Sequence, residues 1–588
     1  MPHSTASLHY RVQLHDLHAH LYRVTLTIAH PSPQQRLSLP VWIPGSYLVR
    51  EFAKNLQALQ AHQGGQPVAL VQLSKHQWEV DCQAAQPLVL TYEVSAYDTS
   101  VRTAWLDQRR GFFNGTSLLL RVHGQEAQPH QLEVQASAQV PQWQLATGLT
   151  ALSIDANGFG LYTAANYDQL VDCPVEMGEF WSGSFVAAGV PHRFVVAGAP
   201  ATLDSERLLR DTQKICEEQI RFWDSAPHAS YVFMLNVTHD GYGGLEHCNS
   251  TALICSRPDL PRLGVEKNSD GYQQLLGLIS HEYFHTWNVK RLRPAELVPY
   301  NYDQENYTQL LWFFEGFTSY YDDLLLRRAG LIDNATYLKL ITKTLNQVQQ
   351  TPGRHVQSVA QSSFDAWVKY YRQDENTANT TVSYYTKGSL VAMCLDLKLR
   401  QEGDTTLDAV MRALWQRCQG AAMAEADVLD VLQDLTGRSW HTELQAWVHG
   451  TDDLPLPSLL AAQGVLAEAD KPATAQAFGL RVQESHSILI KQVLRGGRAE
   501  QAGMMAGDEW YGVELSPAHT AWRLSKLEEL DMYVPQGTAH ITALVARDRQ
   551  LLRLPLAMPT FHPAANTDIA NYKLSVADAA AVDRWLGQ

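Results

Sequence analysis

The chain is poor in cysteine, with seven in 588 residues: Cys82, Cys173, Cys216, Cys248, Cys255, Cys394 and Cys418. They are scattered and odd in number, and no two form a C-x-x-C pair. That excludes a disulfide framework and a thiolate zinc site. The cysteines read as reduced, small apolar packing residues. Long apolar runs are also missing. No stretch approaches the roughly 18 residues of a membrane helix, so no membrane span is expected. Met1-Pro2-His3-Ser4-Thr5-Ala6-Ser7 lacks a basic region followed by an apolar one. A cytoplasmic protein is the simplest reading, or a periplasmic one if a leader has been removed. Positive charge is not in excess either: the net charge is -15 at pH 7. A phosphate backbone attracts basic surfaces, so nucleic acid is not an expected partner. Internal repeats and long low-complexity segments are absent.

What is present is an ordinary globular balance, 18% charged and 45% hydrophobic. The length suggests about three or four domains. Residues 1–175 read as β. Tyr22, Val24, Leu26 and Ile28 alternate with polar Arg23, Thr25 and Thr27, the period of a half-buried strand. Similar runs recur at Leu8–Leu14, Leu88–Val94, Ser117–Val122 and Gln131–Ala136, separated by Gly, Pro and Asn turns. An antiparallel sandwich is expected. The segment Val41-Trp42-Ile43-Pro44-Gly45-Ser46-Tyr47 reads as a packed corner. From about residue 200 the pattern changes. A helix is predicted over Ser205–Trp223, a strand over Tyr231–Val237 and another over Thr251–Cys255. Helices are predicted from Ser269 or Asp270 to about Val289, over Thr308–Arg328 and over Asn334–Gln349. A polar loop through Asn379 follows, then helices at Lys387–Arg400, Leu407–Gln416, Val428–Leu435 and Thr442–Val448. Short strands return after residue 470.

The chemistry centres on His281-Glu282-Tyr283-Phe284-His285, an H-E-x-x-H pattern. Four residues apart on a helix, His281 and His285 share one face and can reach a single zinc ion. Glu282 lies beside that metal, where it can take a proton from water. A catalytic zinc needs a third protein ligand. Glu315 is the best candidate. It stands within Leu310-Leu311-Trp312-Phe313-Phe314-Glu315-Gly316-Phe317, where an unpaired carboxylate is costly. Gly316 beside it lets backbones approach. The competing reading of Glu315 is a buried carboxylate paired with a basic group.

His281-Glu282-Tyr283-Phe284-His285 followed by Trp312-Phe313-Phe314-Glu315-Gly316 resembles the thermolysin-like zinc peptidases, including aminopeptidase N relatives. Three further stretches narrow the resemblance: His285-Thr286-Trp287-Asn288-Val289-Lys290-Arg291-Leu292-Arg293-Pro294, Trp42-Ile43-Pro44-Gly45-Ser46-Tyr47 and Gly111-Phe112-Phe113-Asn114-Gly115-Thr116. They resemble the glycyl aminopeptidase family, zinc metallopeptidases with a PDZ domain. The resemblance implies a multidomain α+β protein. An N-terminal antiparallel β-sandwich (residues 1–175) would precede a thermolysin-like, mainly helical catalytic domain (176–455). A C-terminal PDZ-like β domain (470–560) and a tail (561–588) would follow.

The resemblance also implies roles. One zinc per chain would be held by His281, His285 and Glu315. Glu282 would be general base and proton shuttle. Tyr384-Tyr385-Thr386-Lys387-Gly388 resembles the aminopeptidase motif whose tyrosine donates to the oxyanion, which points to Tyr385 rather than its neighbour Tyr384. Gly243-Gly244-Leu245-Glu246-His247 stands where aminopeptidase N relatives carry Gly-x-Met-Glu-Asn. Glu246 would bind the substrate α-amine, and Gly243 and Gly244 would pair with an extended substrate. His247 departs from that pattern, as does Leu245. Phe478-Gly479-Leu480 would be the carboxylate-binding loop of the PDZ-like domain. The expected activity is removal of small N-terminal residues, glycine or alanine, from peptides with a free N-terminus. The alternatives are an endopeptidase of the same mechanism, or a PDZ peptide-binding scaffold with a vestigial zinc site.

Overall fold

Alternation decides the first part of the chain. In β1 (Leu8–Asp16) and β2 (Leu21–Ile28) every second side chain is buried, so each strand lays one face on the core. With β3 (Leu88–Ser95) and β4 (His130–Val134) they form the middle of an eight-stranded sheet. Tyr10, Val12, Tyr22, Val24, Leu26, Leu90, Tyr92 and Leu132 fill its core. The structure, a computed structural model, describes residues 7–83, 86–403, 405–516, 520–559 and 571–587.

Two units make up the chain, the first of Met1–Tyr307, Arg328–Leu331 and Trp415–Met423. The second consists of Thr308–Arg327, Ile332–Leu414 and Ala424–Gln588. The first unit begins β-rich, as expected, with one difference in direction. β1 pairs with β4 in parallel, though with β2 it pairs antiparallel. The chain between β1 and β4 is long enough to allow the crossover that parallel pairing needs.

The strand expected at Ser117–Val122 is reduced to Arg121–Val122, preceded by a helical turn over Gly115–Leu118. The reason is local. The buried phenols of Tyr92, Tyr167 and Tyr10 donate to the carbonyls of Leu118, Leu119 and Leu120, which a sheet ladder would otherwise occupy.

A second sheet in this unit carries the chemistry. Its order is β5 (Trp181–Ala187), β6 (Val190–Ala197), β7 (Tyr231–Thr238), then β9 (Ser250–Ser256) and β8 (Gly243–Glu246). β8 is therefore an edge strand, paired among the described residues only with β9. Helix α1 (Ser205–Trp223) buries Leu208, Ile215, Cys216 and Phe222 and packs against β5. Helix α2 (Asp270–Phe284) starts at Ser269, whose side chain accepts from the Tyr272 N–H, and packs on α1, β8 and β9.

α2 is shorter than the sequence predicts. It ends at Phe284, and the following turns tighten to i+3 bonds: Thr286 N–H to the Tyr283 carbonyl, Trp287 N–H to that of Phe284. Carbonyls that would continue the helix are taken by side chains. Arg291 donates to the Thr286 carbonyl, and the Asn288 carbonyl meets the His285 ring.

The second unit begins helical. The predicted helix over Thr308–Arg328 is two pieces, α3 (Leu311–Phe314) and α4 (Gly316–Arg328), broken at Glu315. α5 (Asn334–Gln349) and α6 (Thr386–Glu402) lie as expected. The stretch read as a polar loop contains helices Val359–Phe364 and Thr377–Thr380, the first closed by a Ser358–Gln361 capping box. A five-strand antiparallel run follows: β11 (Leu480–Glu484), β12 (Ile488–Val493), β13 (Glu509–Glu514), β14 (His540–Arg547) and β15 (Gln550–Ala557). It has a core of its own around Phe478, Ile490, Trp510, Leu530 and Val545. Separately, β10 (Val465–Asp470) pairs with β16 (Asn571–Val576), and a helix spans Ala579–Leu586. Among the described residues no helix is long and apolar enough to cross a membrane.

Candidate active site

His281 and His285 stand one turn apart at the end of α2. Their Nε2 atoms approach to 3.0 Å, with the rings nearly perpendicular at 88°. Two nitrogens bound tetrahedrally to one zinc lie about 3.3 Å apart, given Zn–N bonds near 2.0–2.1 Å, so the imidazole pair fits that ion. The Nδ1 of His285 lies 2.8 Å from the Asn288 carbonyl. An N–H on Nδ1 donated there leaves the Nε2 lone pair free to ligate.

Glu282 is buried and rests on the edge strand. A β-carbon built on Gly244 would stand 2.0 Å from its Oε1, so only glycine lets the carboxylate lie there. Glu246, at the end of β8, is 4% exposed and presses against Gly45, whose β-carbon would meet Oε1 at 2.4 Å. Gly45 has φ +90°, a conformation that glycine adopts without strain. The ligand atoms of Glu246, Glu282 and His285 all lie within 4.8 Å of one another. Two carboxylates this close make a strongly electronegative pocket, suited to an ammonium or a metal ion.

The next residue, His247, turns away and is fully enclosed. Its Nδ1 lies 3.2 Å from Asp172 Oδ1, which also meets Lys290 Nζ at 2.6 Å. The second Asp172 oxygen accepts from the Cys248 N–H. Burial alone would raise the Asp172 carboxyl. The Lys290 ammonium and His247 outweigh it and hold the group well below the usual carboxylate range. Burial would likewise lower Lys290, but Asp172 raises it above its usual value. Asp172 thus ties down the strand that presents Glu246, and the histidine found where an asparagine was expected is part of that tie.

In the second unit Glu315 caps α3 and is 2% exposed. Tyr385 stands at the start of α6. Gly316 and Gly388 bring these two motifs together. A β-carbon on Gly316 would lie 2.6 Å from the Gly388 backbone, and one on Gly388 2.7 Å from the Trp312 carbonyl. Tyr384, Tyr385 and Tyr370 stack with centroids 4.7 to 5.5 Å apart. Tyr384 is fully buried, while Tyr385 keeps part of its surface. Burial first, and the Glu315 carboxylate second, push the Tyr385 phenol well above 10. It therefore stays protonated and can donate a hydrogen bond.

Of the residues singled out in the sequence, His281, Glu282, His285, Glu246 and Gly244 come together in one unit, and Glu315 and Tyr385 in the other. Phe478 ends a helical turn over Thr474–Phe478, Gly479 takes φ +76°, and its N–H already donates to the Gln476 carbonyl. Nothing in the sequence marks Gly45 and Asp172 as neighbours of the site: Gly45 lies inside a motif that reads as a packed corner, and Asp172 carries no spacing signal.

A helix-borne histidine pair, a buried carboxylate beside it and a carboxylate-bearing edge strand match one class: this is a metallopeptidase. A model of the peptidase M61 N-terminal domain matches residues 9–179, and one of M61 glycyl aminopeptidase matches residues 274–391. A solved aminopeptidase N family protein from Idiomarina loihiensis is 38% identical with a TM-score of 0.92, the match covering 98% of this chain and all of that one (100%). An M1 zinc metallopeptidase from Deinococcus radiodurans is 17% identical with a TM-score of 0.49, over 76% of this chain and 94% of that one. Curated protein sequences give no match. The chain belongs to the M61 glycyl aminopeptidase family.

Proposed function

We propose that the protein is a zinc aminopeptidase that removes small N-terminal residues, glycine or alanine, from peptides with a free N-terminus. The observation that carries this reading is the grouping of Glu246 with Glu282 and His285 within 4.8 Å. It sets a carboxylate able to hold an α-amine beside the candidate base and one metal-binding imidazole. A peptide amine held there keeps its first peptide bond close to the base. The family name supports the preference for small residues.

His281, His285 and Glu315 would hold one zinc ion per chain. Two imidazoles and a carboxylate are a hydrolytic zinc set. When bound, zinc supplies Lewis acidity that lowers the pKa of water and polarises a carbonyl. Glu282 accepts the proton from the attacking water and passes it to the leaving amine. Tyr385 donates to the developing oxyanion. Gly243 and Gly244 lie on the edge strand along which an extended peptide adds. Residues 1–175 would then be the N-terminal β domain and 176–455 the thermolysin-like catalytic domain. Residues 470–560 would be a PDZ-like domain with Phe478-Gly479-Leu480 at its carboxylate loop, and 561–588 its C-terminal extension.

Metal analysis, together with alanyl and glycyl substrates offered free and N-acetylated, tests the reading. One zinc per chain and cleavage confined to the free forms is the expected result. Equal cleavage of N-acetylated substrates would show an endopeptidase instead.

A further inference from the structure

Arg102 lies beside the edge strand at the end opposite Glu246. Its Nη2 donates to the Gly244 carbonyl at 3.3 Å. Its Nη1 is 3.8 Å from where a β-carbon of Gly243 would stand. Gly243 has φ +154°, so this position is one that glycine fills readily. A guanidinium carries five N–H donors, and here one neutral carbonyl takes only one of them. Nε is buried without a hydrogen-bond partner, and Arg102 forms no ion pair among the described residues. Asp98, on the same loop, accepts instead from the Ser100 N–H.

The loop is held rigidly. Asn114, fully buried in the Gly-Phe-Phe-Asn-Gly-Thr motif, donates through Nδ2 to the Val101 carbonyl at 2.8 Å and to that of Thr103 at 3.3 Å. Its own N–H donates to the Thr103 carbonyl at 3.0 Å. Both neighbours of Arg102 are thereby clamped. The Arg102 N–H donates to Ser100 Oγ at 3.0 Å.

The edge strand is thus polarised. The Glu246 carboxylate stands at one end, Glu282 rests on Gly244 along the strand, and a guanidinium without a carboxylate partner stands by Gly243 at the other end. A peptide pairing antiparallel to β8 with its amine at Glu246 runs toward Gly243. The three-residue rise from Gly243 to Glu246 is about 10 Å, the reach of an extended tripeptide.

We propose that Arg102 receives the C-terminal carboxylate of short peptides, so that the enzyme prefers zwitterionic di- and tripeptides over longer chains. This inference rests on the reading that Glu246 takes the substrate amine. A charge-assisted, forked guanidinium–carboxylate contact gives geometric specificity as well as affinity.

The test uses the full-length, zinc-loaded enzyme. Substrates are alanine peptides of two to five residues, each as free acid and as C-terminal amide, with alanine p-nitroanilide as a reporter lacking a carboxylate. For the tripeptide, kcat/KM of the acid should exceed that of the amide about tenfold or more. The ratio should fall toward one at five residues. In Arg102→Gln it should be near one at every length, with p-nitroanilide turnover within about twofold of the parent. Arg102→Lys should keep part of the preference.

Equal rates on acid and amide tripeptides in the parent would overturn the proposal, and this result needs no variant. So would a preference that survives Arg102→Gln. Loss of p-nitroanilide turnover by a folded Arg102→Gln would instead make the residue a brace for β8, which also overturns it. Failure of the Glu246 reading is seen separately, as undiminished cleavage of N-acetyl-alanine p-nitroanilide.

Discussion

The Glu246 carboxylate lies directly over the α-carbon of Gly45, so close that a single methyl group at residue 45 would stand 2.4 Å from Oε1. A segment far away in sequence therefore shapes the group proposed to hold the substrate amine.

Gly45→Ala should displace Glu246 and also strain a backbone held at φ +90°. The strain costs about 1–3 kcal/mol. The expected result is a rise in KM for free aminoacyl substrates of about tenfold or more, with zinc content unchanged. Unchanged KM would mean that Glu246 is not an amine ligand.

Glu282→Gln keeps the shape of the side chain and removes its basicity. Zinc stoichiometry and peptide binding should persist, while kcat falls by about 100-fold or more. Turnover equal to the parent would remove Glu282 from the mechanism.

Gly388→Ala places a methyl group 2.7 Å from the Trp312 carbonyl and 3.0 Å from the Gly316 α-carbon. Backbone cannot yield as a side-chain tip does, so α6 must move away from α3. A loss of about 1–3 kcal/mol in stability is expected, with reduced kcat from misplacement of Tyr385. Denaturant melts read the first effect and steady-state kinetics the second.

Acid should destabilise the first unit well above the range of ordinary carboxylates. Burial pushes His130 and His192 down to about 4, and burial with His192 and Arg291 pushes His228 to about 3. These rings are neutral when folded and take up protons near 6.5 when unfolded. Their contribution is complete above pH 6.5 and is lost as pH falls toward 4. The slope approaches about 1.4 kcal/mol per pH unit for each histidine. Urea unfolding at pH 7 and pH 5 measures it, and His130→Gln should flatten the dependence.

Much of the site could be read from sequence because its parts are local. His281 and His285 share a face through helical period alone, and Glu282 comes with them. Glu315 stood out because a carboxylate in an apolar run needs a reason. The alternating strands and the positions of α1, α5 and α6 follow from side-chain period. The end of α2 did not, because Arg291 and His285 claim carbonyls through side chains that no period encodes. Nor did the break at Glu315, or the three tyrosines that remove a strand at Leu118–Leu120.

Spacing along the chain thus singled out His281, His285 and Glu282 as the candidate site and pointed to the family. Tertiary structure alone decided that Gly45 lies under Glu246 and that Asp172 ties down His247 and Lys290. It also set Gly316 against Gly388, and Arg102 against Gly244. Each of these is a contact between segments distant in sequence. Each depends on the absence of a side chain or on the direction of a single donor, properties that acquire meaning only when the neighbouring segment is in place.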